Sequence, residues 1–153
     1  MGKDLLIWGT ALALSAATAW HFARRPFRTL VDGIRFDRAR LLFRQRREWL
    51  EARFLKSVAA SDPAEALRWD DARWRDEIRW ARDRQTRRLL ALVGVEFEAD
   101  PFDDSAHRHA TALFEYRKGR WIADGKRVDA LRPDEALLRH RRYEPVTPPD
   151  VRP

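Results

Sequence analysis

Leu89-Leu90-Ala91-Leu92-Val93-Gly94-Val95-Glu96-Phe97-Glu98 is the stretch on which the fold turns. Leu89, Ala91, Val93, Val95 and Phe97 alternate with their neighbours, and β-branched residues around a glycine suit a strand better than a helix. A strand of this kind needs an antiparallel partner. The residues just before it, 69–88, read two ways. As a helix, Trp74, Ile78, Ala81, Gln85 and Leu89 share one face and leave Trp69 and Trp80 opposite. As a strand, Trp74, Ile78 and Trp80 share one face while Arg75, Glu77, Arg79 and Asp83 share the other. The need for a partner selects the hairpin, 74–83 against 89–98 with a turn around 84–87.

Downstream, 111–117 is a third strand with Ala112, Phe114 and Tyr116 on one face. Lys118-Gly119 is a tight-turn signal, and 120–123 returns as a fourth strand with Trp121 turned inward. Asp124-Gly125 marks another turn, and Pro133-Asp134-Glu135 opens a short helix that runs to about His140. The expected C-terminal domain is therefore α+β, a small antiparallel sheet of about four strands closed by a short helix, over residues 61–144. Residues 145–153 hold four of the eight prolines and read as an extended tail.

Upstream, Ser61-Asp62-Pro63 ends one helix and starts another, with Asp62 as cap and Glu65 in the capping-box position. Before it, Phe36, Ala39, Phe43, Leu50, Phe54 and Val58 recur at helical spacing as one apolar stripe, with Leu41, Leu42 and Trp49 off it. Arginines fill the gaps. The 153 residues carry 31 basic and 24 acidic side chains, net +7. Residues 24–56 contain eleven basic and four acidic residues, so this arm (24–60) holds the whole excess and the rest of the chain is neutral. Cysteine is absent, which excludes disulfides, thiolate metal sites and cysteine nucleophiles.

Residues 5–23, LLIWGTALALSAATAWHFA, are uncharged with His21 neutral and are long enough to cross a bilayer as a helix. Trp8 and Trp20 lie near its ends, where aromatic rings favour the interface. Ala17-Thr18-Ala19 also fits a signal-peptide cleavage site, which would mean export of the remainder. The arginines that follow, Arg24, Arg25 and Arg28, decide for an uncleaved anchor, because positive flanks stay in the cytoplasm. Residues 1–4 are then outside, and the protein is a single-pass inner-membrane protein with a cytoplasmic C-terminal domain. Gly9, Ala13 and Ala17 share one helix face that lets another helix approach closely. His21, on the same face, is the position from which an imidazole would ligate a tetrapyrrole metal, although no cofactor is otherwise expected.

No phosphate-binding loop, dinucleotide fingerprint, nucleophile elbow or zinc-protease motif is present. The most site-like cluster is the loop bearing Asp100, Asp103, Asp104, His107 and His109, of which Asp103, Asp104, His107 and His109 form a candidate divalent-metal set. Seven tryptophans are many for this length. Trp74, Trp80 and Trp121 are assigned to one sheet face. Interface contacts are assigned to Trp8, Trp20, Arg24, Arg25, Arg28, Phe36, Phe43, Trp49 and Trp69, since Trp and Arg dominate interface hot spots. The functional expectation is a non-catalytic accessory or scaffold subunit whose partners are other membrane protein subunits. The alternatives are a membrane-tethered ligand- or metal-binding domain, enzymatic or not, and a module for anionic lipid headgroups. Nucleic acid ranks last, for want of a recognition motif beside a membrane anchor.

Overall fold

The computed structural model describes residues 33–98 and 108–146. By contact the chain divides into residues 1–37 and 38–153. The expected membrane helix lies outside the described residues, with Trp8, Gly9, Ala13, Ala17, Trp20, His21, Arg24, Arg25 and Arg28. Among the described residues no helix is long and apolar enough to cross a membrane.

Helix α1 covers 33–45 and breaks at a turn on Arg46 before α2, Arg47–Ser61. Asp62 then ends α2 and caps α3, Pro63–Asp70, its carboxylate accepting from the Glu65 amide at 3.2 Å. Pro63 occupies the first helical position, where no amide hydrogen is needed.

The remainder is the expected α+β domain. Strands β1 (Arg73–Asp83), β2 (Leu89–Glu96) and β3 (His109–Arg117) form an antiparallel meander, which resolves the 69–88 ambiguity in favour of the hairpin. Only its first two residues, Trp69 and Asp70, are helical. Strand β4 (Arg120–Ile122) returns through Lys118-Gly119, whose φ values of 49° and 81° are those of a type I′ turn.

The sheet has six strands rather than about four. Strand β5 (Arg127–Asp129) shares the outer edge of β3 with β4, and β6 (Tyr143–Pro145) flanks the far end of β1. Both are three-residue strands, too short to show a two-residue alternation in sequence. Of the residues expected to form the tail, Pro145 belongs to β6, and 147–153 lie outside the described residues. Pro145 closes an edge strand, where its missing amide costs no ladder bond. Helix α4, Pro133–Arg139, follows β5.

The register sorts the side chains. Trp74, Ile78, Trp80, Ala91, Val93, Val95, Ala112, Phe114 and Trp121 lie on one face, as the alternation predicts. The entire predicted stripe, from Phe36 to Val58, is buried. Within it, Phe43 stacks edge-on against Trp80, Phe114 and Trp121, and Phe54 meets Trp69, Trp74 and Phe114. Trp121 Nε1 donates to the Ala39 carbonyl at 2.8 Å, so the buried indole N–H is satisfied by the helix it packs on. On the opposite face Ala81, Leu90, Leu92 and Leu113 pack with Leu131 and Ala136 of the α4 region. Gly94 permits that approach: a Cβ there would lie 3.3 Å from Pro133 Cδ.

Candidate functional site

Three of the interface assignments can be placed among the described aromatic residues of the core, and they are corrections. Phe43 and Trp69 are completely buried and Phe36 nearly so, which removes them from the surface. The stripe that would have anchored a partner is spent within the protein. Trp49 fares differently. It is 54 % exposed, with the Arg53 guanidinium 5.4 Å from its ring centroid, and Leu41 on the preceding helix is 57 % exposed. Around them Arg38, Arg44, Arg46, Arg53 and Lys56 are all exposed. The outer surface of α1 and α2 is therefore basic and carries three large apolar side chains, Ile34, Leu41 and Trp49. An isolated surface helix gains nothing from exposing Trp and Leu to water, since each forgoes burial worth about 1.5 to 3 kcal/mol.

A cleft of about 630 Å³ opens beside this surface, with Arg40, Arg44 and Arg47 on one wall. Spacings of four and three residues put the three on one side of the helical segment, across the turn at Arg46. Ile78, Trp80, Leu137 and Val146 supply its apolar lining, and Arg79 with Asp134 forms the other rim. Each cation stands differently. Arg47 donates to the Arg75 and Asp76 carbonyls and pairs with Glu51 at 2.7 Å, fastening α2 to the irregular part of β1. Arg79 reaches Asp134 at 2.6 and 3.1 Å, and that hydrogen bond raises the pKa of its guanidinium. Arg40 lies with its guanidinium carbon 5.9 Å from the Trp80 ring centroid. Arg44 has no hydrogen bond or ion pair among the described residues.

Of the expected metal set, Asp103, Asp104 and His107 lie outside the described residues. His109 begins β3, its Nδ1 3.9 Å from Glu96 and its Nε2 3.2 Å from an Arg132 guanidinium nitrogen. A guanidinium only donates, so Nε2 accepts from it, and this nitrogen's lone pair is unavailable to a metal. Among the described residues no group of three or more His, Asp or Glu side chains is placed to hold a metal ion.

The two buried carboxylates among the described residues are also committed. Asp83 accepts from Arg142 at 2.6 and 3.1 Å and from the Gln85 and Thr86 amides, and these donors, Arg142 first, hold its carboxyl far below the ordinary range. Burial pushes Glu115 up, yet hydrogen bonds from Arg88 and Arg117 outweigh it and leave the carboxyl below its usual value. Groups held this firmly ionised are poorly suited to exchange protons near neutral pH.

Sequence reading found the arginine-rich helix but missed the cleft. Arg40, Arg44 and Arg47 show their common side in the spacing, whereas Ile78, Leu137 and Val146 come from three elements that only the folded sheet brings together. The chain matches no known family, no curated protein and no solved structure.

Proposed function

We propose that this chain is a non-catalytic, single-pass accessory subunit of a larger membrane assembly, anchored through 5–23 with its α+β domain in the cytoplasm. One observation carries the reading. Once the inner stripe of α1 and α2 is consumed by the sheet, the outer surface still exposes Leu41 and Trp49 among arginines. Exposed Trp beside Arg is the composition of interface hot spots, and the cations fit an acidic subunit surface. The small-residue positions Gly9, Ala13 and Ala17 supply a second contact within the bilayer.

The direct test is extraction in mild detergent followed by size analysis and crosslinking. The expected result is a particle larger than the 18.1 kDa chain with its micelle, retaining other membrane subunits. Migration as an isolated monomer that retains no partner after crosslinking overturns the reading. Leu41→Gln with Trp49→Gln is expected to shift the particle towards the monomer while leaving its melting temperature unchanged.

A second reading draws on the Trp49–Arg53 stack, since interfacial Trp and Arg also suit anionic headgroups. It predicts that the full chain gathers phosphatidylglycerol around itself in mixed nanodiscs and releases it in high salt, when the Debye length shortens to about 3 Å. Equal enrichment of neutral and anionic lipid rejects it.

A further inference from the structure

Strand β1 is longer than the strand that covers it. β6 pairs only with Ala81, Arg82 and Asp83, and the ladder ends where the Val146 amide donates to the Trp80 carbonyl. The Arg84 amide likewise donates to the Arg142 carbonyl. Residues 80 and 84 thus turn their backbone groups towards β6. In an antiparallel strand the N–H and C=O of one residue point the same way and alternate from residue to residue. Residues 78, 79 and 80 keep regular register with 93, 92 and 91 of β2. The Ile78 N–H and C=O therefore point to the same outer side, and among the described residues no strand lies there to receive them. Further along, Arg47 donates to the Arg75 and Asp76 carbonyls and closes that end. The result is one open rung of the sheet, bounded by β6 and by Arg47.

That rung faces the cleft already described, whose wall carries Arg40 and Arg44. Unpaired backbone groups at a sheet edge recruit an extended chain, and side-chain pockets beside the edge supply the selectivity. We infer that the cleft binds an extended, acidic peptide segment of a partner subunit, with one residue of the segment completing the Ile78 rung and a carboxylate meeting Arg44. Leu137 and Val146 take an apolar side chain of the same segment. A lipid headgroup would satisfy the arginine but would leave Ile78 without a matching pair of donor and acceptor, which is why a peptide fits better. This inference rests on the accessory-subunit reading and names where and how the partner is gripped.

The test uses the full chain in its native membranes, with a benzophenone amino acid installed at Leu137 in one protein and at Trp49 in another, and the crosslinked peptides sequenced. From Leu137 the expected product is a peptide of another subunit containing Asp or Glu. Arg44→Glu is expected to lower that yield at least about fivefold, consistent with loss and reversal of a rim ion pair, and changing the partner's acid to Lys is expected to restore it. Arg44→Gln, which removes the charge without reversing it, is expected to lower the yield less, and an unchanged melting temperature of both variants shows that the loss does not come from unfolding. Products from Leu137 confined to lipid, to residues 147–153 of the same chain or to a second copy overturn the inference. If Trp49 still captures another subunit in that case, the accessory reading stands alone. If neither position captures another protein, both fall.

Discussion

Asp83 sits at the end of β1, where a turn residue would ordinarily be solvated, yet it is buried and accepts from two turn amides and two Arg142 nitrogens. One carboxylate thereby fixes both the β1–β2 turn and the approach of β6. Its folded pKa is depressed, chiefly by Arg142, so the unfolded chain takes up the proton first as pH falls. The stabilisation is complete above the unfolded carboxyl value of about 3.9 and is lost progressively below it. Asp83→Asn keeps an acceptor for the turn amides and removes the charge. It is expected to cost about 1.5 to 3 kcal/mol at neutral pH, the range for a hydrogen bond to a charged group, and to flatten the acid limb of a melting-temperature profile measured between pH 3 and pH 7. An unchanged acid limb would show that Asp83 is not the group responsible.

Two glycines make a sharper comparison. Gly119 and Gly125 both have positive φ, 81° and 75°, but a Cβ at Gly119 meets nothing within 4 Å. At Gly125 it would lie 3.3 Å from the backbone of Ser57 and Val58 in α2. Gly119→Ala should cost about 1 kcal/mol, the left-handed penalty alone. Gly125→Ala should cost clearly more in urea denaturation, because helix backbone cannot swing aside as a side chain can. Equal losses would mean that the loop after β4 is not pressed against α2. Ser57 Oγ donating to the Ala123 carbonyl at 3.0 Å marks the same contact.

At the scale of elements, the two sides of the α1–α2 segment divide labour between stability and contact. Phe43→Ala removes a fully buried ring that touches Trp80, Phe114 and Trp121, and is expected to cost about 3 to 5 kcal/mol in thermal or urea unfolding. Leu41→Gln and Trp49→Gln, on the exposed side, should each stay within about 0.5 kcal/mol. A large loss from either would mean that the outer surface is covered within the chain itself.

The stripe was legible because six apolar residues repeat over many turns, long enough for a helical period to exceed chance. The hairpin was legible through its partner, the unambiguous run 89–98. By contrast, Trp69 was misread because α3 is eight residues long and its orientation is set by Phe54, Trp74 and Phe97, which no local pattern specifies. β5 and β6 escaped notice for a related reason: each is held by the edge it joins, with little preference of its own. The open Ile78 rung follows from where β6 stops, so it had no sequence signal at all.

At the scale of the whole molecule, residues 38–60 of the basic arm are part of the domain that follows: Ala39, Phe43, Leu50, Phe54 and Val58 are buried, and Phe43 and Phe54 stack on aromatic rings of the sheet. The long span between Ala39 and Trp121, 82 residues joined by one indole hydrogen bond, carries a consequence for synthesis. The helix that needs Trp121 leaves the ribosome first, and at about 5 to 20 residues per second its partner follows on the order of 4 to 16 s later. Phe54 meets its first partners, Trp69 and Trp74, early in that interval, whereas Phe43 waits until the end of it for Phe114 and Trp121. The order in which the fold is spelled out thus leaves the Phe43 end of the apolar stripe uncovered until the last long strand has been made.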